Sequence, residues 1–555
     1  MPIQSELTID IPATDVWSFL FGGQKAYPAN LVLFMDGDSG RSYSYAETKK
    51  YSVAFGKGLQ SKLNWSKGDV LAFYSPNDID IPVLIAGVVW TGGVACPANP
   101  TYTADELGKQ LRDSNAKALV TQPAYLTTAC KAALKAGMSL ENVILLGNDR
   151  NNNDKHKHWT YFSTLGSSSK CNQFKKASIE PERDMAFLIY SSGTTGLPKG
   201  VILTHYNIVS NISQFSYTDV RYMSWETDSQ LGILPFFHIY QHFQWGLFVS
   251  LNITLFCGVK CIVIPKFDLE KACQLIQQHR VTFLYVPPPI VLLLGRHPLV
   301  DTFDLTSLRW INSAAAPLEK ELVHDVWNRL KVGVKQSYGL SETSPSALAQ
   351  LPDEWREFEG SVGRLMPNMA AKIVDPNGNE VPLGMNQAGE ILLKGPNIFP
   401  GYWNQPDLNK HTFTNDGWFK TGDVGYVCPK GHFYITDRIK ELIKYKGFQV
   451  APAELEDKLL GHEDVNDACV IGVWDNERHT EVPRAYIVLK PGVQESGELA
   501  QSIVDWLGER LSPPKKLRGG VRFVARIPKS QAGKILRRVL KEEATKEPSR
   551  PSGKL

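Results

Sequence analysis

From Ser42 onward the chain alternates helical periodicity with short apolar runs, and this rhythm limits the folds open to it more than any other feature. Tyr45 to Leu63 has helical spacing, Val70 to Tyr74 reads as a strand, Ile81 to Trp90 as a buried helix and Lys117 to Thr121 as a second strand. Strands separated by helices predict βαβ units. The rhythm returns with Val281 to Val286 as strand, Leu318 to Leu330 as helix and Gly333 to Gln336 as a short strand running into Tyr338-Gly339. At 555 residues the chain is longer than one hydrophobic core sustains, so two or more domains are expected, at least one with a large core.

After Asp437 the character changes. Pro452 suits the first turn of a helix, Leu455, Leu459 and Leu460 give it an apolar face, and Gly461 is placed to stop it. Val470 to Val473, Ala485 to Leu489 and Val521 to Ala525 read as strands and Leu499 to Leu511 as a helix, a compact α+β set. The expected fold is therefore α/β: a large N-terminal domain of layered sheets and helices over 1–437, a smaller α+β domain over 438–540, and a charged tail over 541–555 without fixed structure.

Composition excludes several classes. Hydrophobic residues at 43% and charged ones at 21% are ordinary for a globular chain, and the net charge of +3 is small. Basic residues are interleaved with acids except at Lys515-Lys516 and Arg537-Arg538, so no nucleic-acid footprint is expected. The eight cysteines are scattered, lack any CxxC pair and sit mostly among apolar neighbours, which implies neither zinc nor disulfides. Met1 to Asp15 has no basic flank or long apolar core, so no secretory signal is read there. The apolar region Leu234 to Ile264 is broken by His238, Gln241, His242, Gln244, Asn252 and Lys260, which predicts a buried helix and strand rather than a membrane span. Asn148 to His158 reads as a polar surface loop, not a metal site. An intracellular protein is expected, and Gly553-Lys554-Leu555 comes close to the Ser-Lys-Leu peroxisomal address, leaving peroxisome and cytoplasm both open.

The chemistry begins at Ser191-Ser192-Gly193-Thr194-Thr195-Gly196-Leu197-Pro198-Lys199-Gly200, directly after the apolar run Met185 to Tyr190. Its glycines let backbone N–H groups turn toward an anion, and its hydroxyls and Lys199 add donors and charge. That is a phosphate-handling loop. A Walker loop places Gly-Lys-Ser/Thr in direct succession, whereas Pro198 intervenes here, which argues against a P-loop fold.

Further motifs follow: Leu234-Pro235-Phe236-Phe237-His238-Ile239-Tyr240, Ser337-Tyr338-Gly339-Leu340-Ser341-Glu342-Thr343, Gly389-Glu390-Ile391, Gly401-Tyr402-Trp403 and Gly417-Trp418-Phe419-Lys420-Thr421-Gly422-Asp423. Asp437-Arg438-Ile439-Lys440 and Pro528-Lys529-Ser530-Gln531-Ala532-Gly533-Lys534-Ile535 complete the set. In this order the set resembles the adenylate-forming superfamily of acyl-CoA synthetases, adenylation domains and firefly luciferase, over nearly the whole chain. Lys444-Tyr445-Lys446-Gly447-Phe448-Gln449 brings it nearest to the 4-coumarate–CoA ligase-like branch.

The resemblance implies a large domain with a small mobile lid joined near Asp437, and a two-step reaction using ATP, Mg²⁺ and coenzyme A on a small carboxylic acid. It implies that Lys534, Glu342, Lys199 and His238 are catalytic, and that Glu342 with Thr194 holds the metal. Ser191, Ser192, Gly193, Thr194, Thr195, Gly196 and Lys199 would hold the phosphates. Ala315, Gln336, Ser337, Tyr338 and Ser341 match positions around the adenine and α-phosphate, and Asp423 the ribose-binding aspartate with Arg438 nearby. Lys444 and Gln449 would contact the adenylate, while Lys266, Lys446 and Gly447 would touch coenzyme A. Tyr240, Gln244, Ala314, Gly339 and Pro345 would line the acyl pocket.

The pattern departs from coumarate-type enzymes at Gln241-His242-Phe243-Gln244-Trp245, which is bulkier and more polar than expected there. The substrate reading is therefore an aryl or medium-chain acid. A carrier-loading enzyme acting in trans, a luciferase-like oxygenase and a non-catalytic descendant are the rival readings; the presence of Lys199, Glu342, Asp423 and Lys534 disfavours the last.

Overall fold

The structure is a computed structural model, and it describes residues 2–147, 160–165, 173–191, 198–236, 244–314, 316–382, 387–438, 441–446, 448–476, 478–511, 513–529 and 535–546. Two compact units emerge: a larger one of residues 2–371 and 393–419, and a smaller one of 372–392 and 420–555.

The larger unit contains a seven-stranded and a nine-stranded sheet. The first runs Lys199–Thr204, Met185–Ser191, Val94–Ala98, Val70–Tyr74, Ala116–Thr121, Val143–Leu145 and Thr160–Tyr161 in spatial order. Every neighbouring pair is parallel except the first, an antiparallel hairpin. Val70–Tyr74 and Val94–Ala98 are buried throughout, as their unbroken apolar character requires. Helices Ala104–Asp113 and Leu126–Lys135 close one face, Leu107, Leu111, Ala129 and Ala133 packing on Ala72, Tyr74 and Leu119.

In the nine-stranded sheet the parallel strands Gly333–Tyr338, Trp310–Ser313, Phe283–Val286, Ser229–Gly232, Lys260–Val263 and Val32–Asp36 lie side by side. Helices Leu269–His279, Pro288–Arg296 and Lys320–Leu330 bury Leu275, Ile276, Val291, Leu294, Val323 and Val326 in the core cluster under this sheet. A fully buried aliphatic side chain contributes about 1.5–3 kcal/mol, so this cluster is a principal source of the unit's stability.

The alternation read from the sequence is the one observed. Gly333–Tyr338 runs two residues beyond the expected Gln336 because Ser337 and Tyr338 gain antiparallel partners in Ala349 and Leu348. The Leu234–Ile264 region contains Gln244–Leu247, a more loosely wound π-helical stretch Phe248–Ile253, Thr254–Cys257 and the strand Lys260–Val263. Among the described residues no helix is long and apolar enough to cross a membrane. Asn148 to His158, read as a loop, lies outside the described residues.

In the smaller unit Val465–Asp475 pairs antiparallel with Thr480–Leu489, which pairs parallel with Val521–Phe523. Helices Pro452–Leu460 and Gly497–Arg510 bury Leu455, Leu459, Ile503 and Leu507 on this sheet. Lys541 to Lys546, expected to belong to an unstructured tail, instead extend the helix Arg537–Lys546. Leu540 anchors it by packing on Cys469, Ile471, Tyr486 and Ile527, with Ala544 alongside.

Candidate active site

The loop read from the sequence as phosphate-handling is carried by the hairpin Met185–Ser191 and Lys199–Thr204, whose register sets Lys199 opposite Ser191. The two ends of the loop therefore meet on adjacent strands; Ser192, Gly193, Thr194, Thr195 and Gly196 lie outside the described residues. Gly401-Tyr402-Trp403 docks on the second strand through a bridge between Val201 and Tyr402. Trp403 N donates to Gly200 O at 2.7 Å and Ile202 N to Gly401 O at 3.2 Å. Gly401 has φ +151°, and a Cβ there would stand 2.9–3.0 Å from the Asn409 amide. That close approach lets Asn409 clamp Tyr402, accepting from Tyr402 N at 2.7 Å and donating to Tyr402 O at 2.9 Å.

So fixed, Tyr402 donates its phenolic proton to Glu342 Oε1 at 2.6 Å. Its ring centroid lies 5.6 Å from Lys199 Nζ, within cation–π reach. Burial, and then the Glu342 carboxylate, push the phenol well above its ordinary pKa, so it remains a donor at neutral pH.

Glu342 sits on the turn Ser341–Thr343, just past the strand Gly333–Tyr338. Several hydrogen bonds brace this turn: Phe399 N donates to Glu342 O at 2.9 Å, and Asn397 Nδ2 to Thr343 O at 2.6 Å and Ser346 O at 2.7 Å. A Cβ at Gly339 would fall 1.8 Å from Pro345 O, so these two backbones meet as only glycine permits. Gln336, Ser337, Tyr338 and Ser341 are all buried. Gln336 N donates to Gln350 Oε1 at 2.8 Å and Ser337 Oγ to Asn312 Oδ1 at 3.1 Å.

The same strand carries a buried ion pair. Lys335 Nζ lies 3.0 Å from Asp219 Oδ1, both side chains fully buried, and also donates to Gln350 O at 3.0 Å. Tyr285 OH donates to Asp219 Oδ1 at 3.1 Å. Burial lowers the Lys335 pKa from its ordinary value, with Asp219 opposing the shift.

Lys266, Ala314 and the Gln336–Tyr338 segment all fall at carboxyl ends of parallel strands, where open α/β sheets bind ligands. Here Asn312 Nδ2, Ser313 Oγ and Ser341 Oγ are buried with no hydrogen-bond partner among the described residues. Buried donors of this kind cost about 1–3 kcal/mol each when unpaired. A strand edge supplied with them suits a polar ligand such as a nucleotide, and a carboxylate beside a lysine suits a hard cation on phosphates. Gln244 opens the turn Gln244–Leu247, while His238, Tyr240 and Ala315 lie outside the described residues.

In the smaller unit Asp423 and Arg438 face each other on antiparallel strands. Arg438 Nε lies 2.9 Å from Asp423 Oδ1, and Asp423 is buried. Asp437 next to it accepts from Arg438 N at 2.6 Å and Ala453 N at 3.2 Å; burial raises its carboxyl to about 6. The hairpin Ile443–Tyr445 and Phe448–Val450 pairs Lys444 with Gln449 and leaves Lys444 and Lys446 exposed. Thr480 Oγ1 ties its turn, accepting from Lys446 N at 2.9 Å and donating to Lys444 O at 2.7 Å. Gly447 and Lys534 lie outside the described residues.

Three features escaped the sequence reading. Tyr402 was visible only as the centre of a Gly-Tyr-Trp motif without a role. Asn397 and the Lys335–Asp219 pair carry no local signal at all, because their partners lie 51 or more residues away in the chain.

Residues 23–403 match the AMP-binding enzyme family and residues 454–534 the AMP-binding enzyme C-terminal domain. A probable 4-coumarate–CoA ligase 1 of Dictyostelium discoideum is 38% identical over 521 residues, covering 92% of each chain. The 4-coumarate–CoA ligase 1 of Solanum tuberosum is 37% identical over 522 residues, covering 91% of this chain and 90% of that one. The crystal structure of ATP-bound MatB from Rhodopseudomonas palustris superposes with a TM-score of 0.84 at 28% identity, covering 96% of this chain and 99% of the other. With a strand-edge site of this design and matches that span both parts of the chain, the protein belongs to the AMP-binding enzyme family.

Proposed function

We propose that this protein is an AMP-forming acid–thiol ligase that activates an aryl or medium-chain carboxylic acid with ATP and passes the acyl group to coenzyme A. A free carboxylate has no good leaving group. Attack of a carboxylate oxygen on the α-phosphorus of ATP forms the acyl–phosphate bond and breaks the α–β anhydride, releasing pyrophosphate. The sulfur of coenzyme A, giving up its proton, then bonds the acyl carbon, and AMP leaves with the electron pair of the broken C–O bond. The relatives named 4-coumarate–CoA ligase favour an aryl acid.

The observation that carries this reading is the larger unit's pairing of Lys199 and Glu342 through Tyr402, beside the edge of the strand Gly333–Tyr338. In this reading Lys199 and the loop from Ser191 to Gly196 receive the departing phosphates, a preorganised electrostatic cradle. Glu342 and Thr194 hold Mg²⁺, which when bound neutralises phosphate charge. Gln336, Ser337, Tyr338, Ser341 and Ala315 take the adenine and α-phosphate, and Asp423, oriented by Arg438, accepts from the ribose hydroxyls. Lys534 and His238 act where carboxylate and α-phosphate meet. Tyr240, Gln244, Ala314, Gly339 and Pro345 line the acyl side. Lys444 and Gln449 contact the adenylate; Lys266, Lys446 and Gly447 serve coenzyme A.

The test is pyrophosphate release from ATP and Mg²⁺ over cinnamic, benzoic, phenylacetic and medium-chain fatty acids, with and without coenzyme A. Release that depends on one acid class and yields its thioester is expected. Acid-dependent release with no thioester would overturn the coenzyme A step in favour of a carrier protein or oxygen as acceptor.

A further inference from the structure

We infer that Tyr402 is a positioning residue for the magnesium–nucleotide complex: its hydroxyl sets the orientation of the Glu342 carboxylate while its ring seats the Lys199 ammonium. The inference rests on the reading of Glu342 as the metal-holding carboxylate and Lys199 as the phosphate cation.

A glutamate side chain rotates about three bonds, and holding it in one geometry costs entropy that preorganisation removes in advance. Here the segment 399–402 grips Glu342 twice. Phe399 N donates to its backbone oxygen at 2.9 Å, and Tyr402 OH donates to its Oε1 at 2.6 Å. The gripping segment is itself held. Asn409 makes two hydrogen bonds to the Tyr402 backbone, the Val201 bridge joins it to the Lys199 strand, and Phe399 packs edge-on to the Tyr402 ring at 4.9 Å between centroids.

Because the Tyr402 backbone bridges to Val201, two residues from Lys199, the tyrosine is tied to the strand that carries the cation. One neutral aromatic side chain thus touches the anionic and the cationic member of the site and sets the space between them. A hydroxyl donating at 2.6 Å to a carboxylate oxygen belongs to the stronger, charge-assisted class of hydrogen bond.

The experiment compares wild type, Tyr402→Phe, Tyr402→Leu and Glu342→Gln by calorimetric ATP binding in EDTA and across a magnesium titration, with melting temperatures and acid-dependent pyrophosphate release alongside. Tyr402→Phe keeps the ring, so metal-free ATP binding should stay within about twofold of wild type while the magnesium-linked gain falls on the order of tenfold, the scale of one charge-assisted hydrogen bond. Tyr402→Leu should also weaken metal-free binding, because the seat for Lys199 is gone. If Glu342→Gln abolishes the magnesium-linked gain and Tyr402→Phe leaves it intact, the role given to Tyr402 is overturned and that of Glu342 stands. If Glu342→Gln itself leaves the gain intact, the metal-holding role of Glu342 falls and takes the inference with it. Equal losses for Tyr402→Phe with and without magnesium, accompanied by a lower melting temperature, would reduce Tyr402 to packing and overturn the inference.

Discussion

In the larger unit Glu342 and Lys199, assigned to the metal and the phosphates, are tied together by partners on neighbouring strands, whereas in the smaller unit Lys444 and Lys446, assigned to the adenylate and to coenzyme A, stand exposed on a two-stranded hairpin. Glu342 is held through its backbone and its side chain, and Lys335 makes an ion pair with no exposure at all. Lys444 and Lys446 project from a hairpin whose turn residue, Lys446, takes φ +42°. At Lys446 the contrast matches the two half-reactions proposed. Stabilising charge at phosphorus calls for fixed dipoles and ions, while meeting a long, flexible thiol carrier calls for accessible charge on a small element.

The comparison breaks most severely at Lys335. Lys335→Met would leave Asp219 buried without its cation, at a cost of about 3–5 kcal/mol. The larger unit should then unfold at markedly lower denaturant, and ATP-dependent pyrophosphate release should fall with it. Lys335→Met combined with Asp219→Leu should recover much of that stability, since an apolar pair avoids the desolvation cost; a single variant with an unchanged denaturant midpoint would show that the pair braces nothing. Gly339→Ala comes next. Its Cβ would overlap Pro345 O, so the strand end must shift, with a stability loss of about 1–3 kcal/mol and pyrophosphate formation down on the order of a hundredfold, as a 1 Å misplacement can cause. Near-normal rates in this variant would mean that the Gly339–Pro345 contact is not part of the site.

The fold was legible where patterns are local. Pro452, Leu455, Leu459 and Gly461 mark a helix that runs Pro452–Leu460, and the apolar run before the phosphate loop is the strand Met185–Ser191. Charged groups carried by a motif, such as Glu342 and Asp423, stood out in the sequence as candidates. What stayed hidden depends on distant partners: Tyr402 reads as one aromatic among many until the hairpin brings Lys199 beneath its ring. Lys335 looks like a surface lysine and proves fully buried, because its Asp219 partner lies 116 residues earlier. Residues 541–546 of the expected tail were misread for a related reason: their charged side chains mask a helix that Leu540, just before them, and Ala544 hold against the core.

The smaller unit also differs in how its buried charges balance. One guanidinium, Arg537, meets Glu441 and Glu456, with Asp437 and Cys469 also facing the cluster. Burial raises the Glu456 carboxyl from 4.5 to about 7, against the pull of Arg537, and that of Asp437 from 3.8 to about 6. Both folded values lie above the unfolded ones, so between them the folded state binds more protons. Their contribution is complete at low pH and is lost as pH rises through about 6 and about 7. Amide exchange in the strand Val465–Asp475 should therefore show this unit losing stability as pH is raised from about 4.5 to 7, and Glu456→Gln should flatten that slope. A slope of the opposite sign in wild type would mean that Arg537 outweighs burial at this cluster.

The smallest effect is also the most selective. Lys446 is exposed and its backbone nitrogen is tied to Thr480, so truncating its side chain removes charge and leaves the hairpin in place. Lys446→Ala should raise the KM for coenzyme A about three- to tenfold, as loss of one exposed charge-assisted contact does, with acid-dependent pyrophosphate release and melting temperature unchanged. The positive φ at Lys446 supplies the control, because Lys446→Gly removes the same charge while relieving the left-handed backbone that a Cβ resists. If charge is what coenzyme A meets, both variants should raise KM alike even though the glycine variant is slightly the more stable. If instead KM is indifferent to both, the hairpin lysine is a solvated surface charge, and the exposed half of the comparison loses its link to the thiol step.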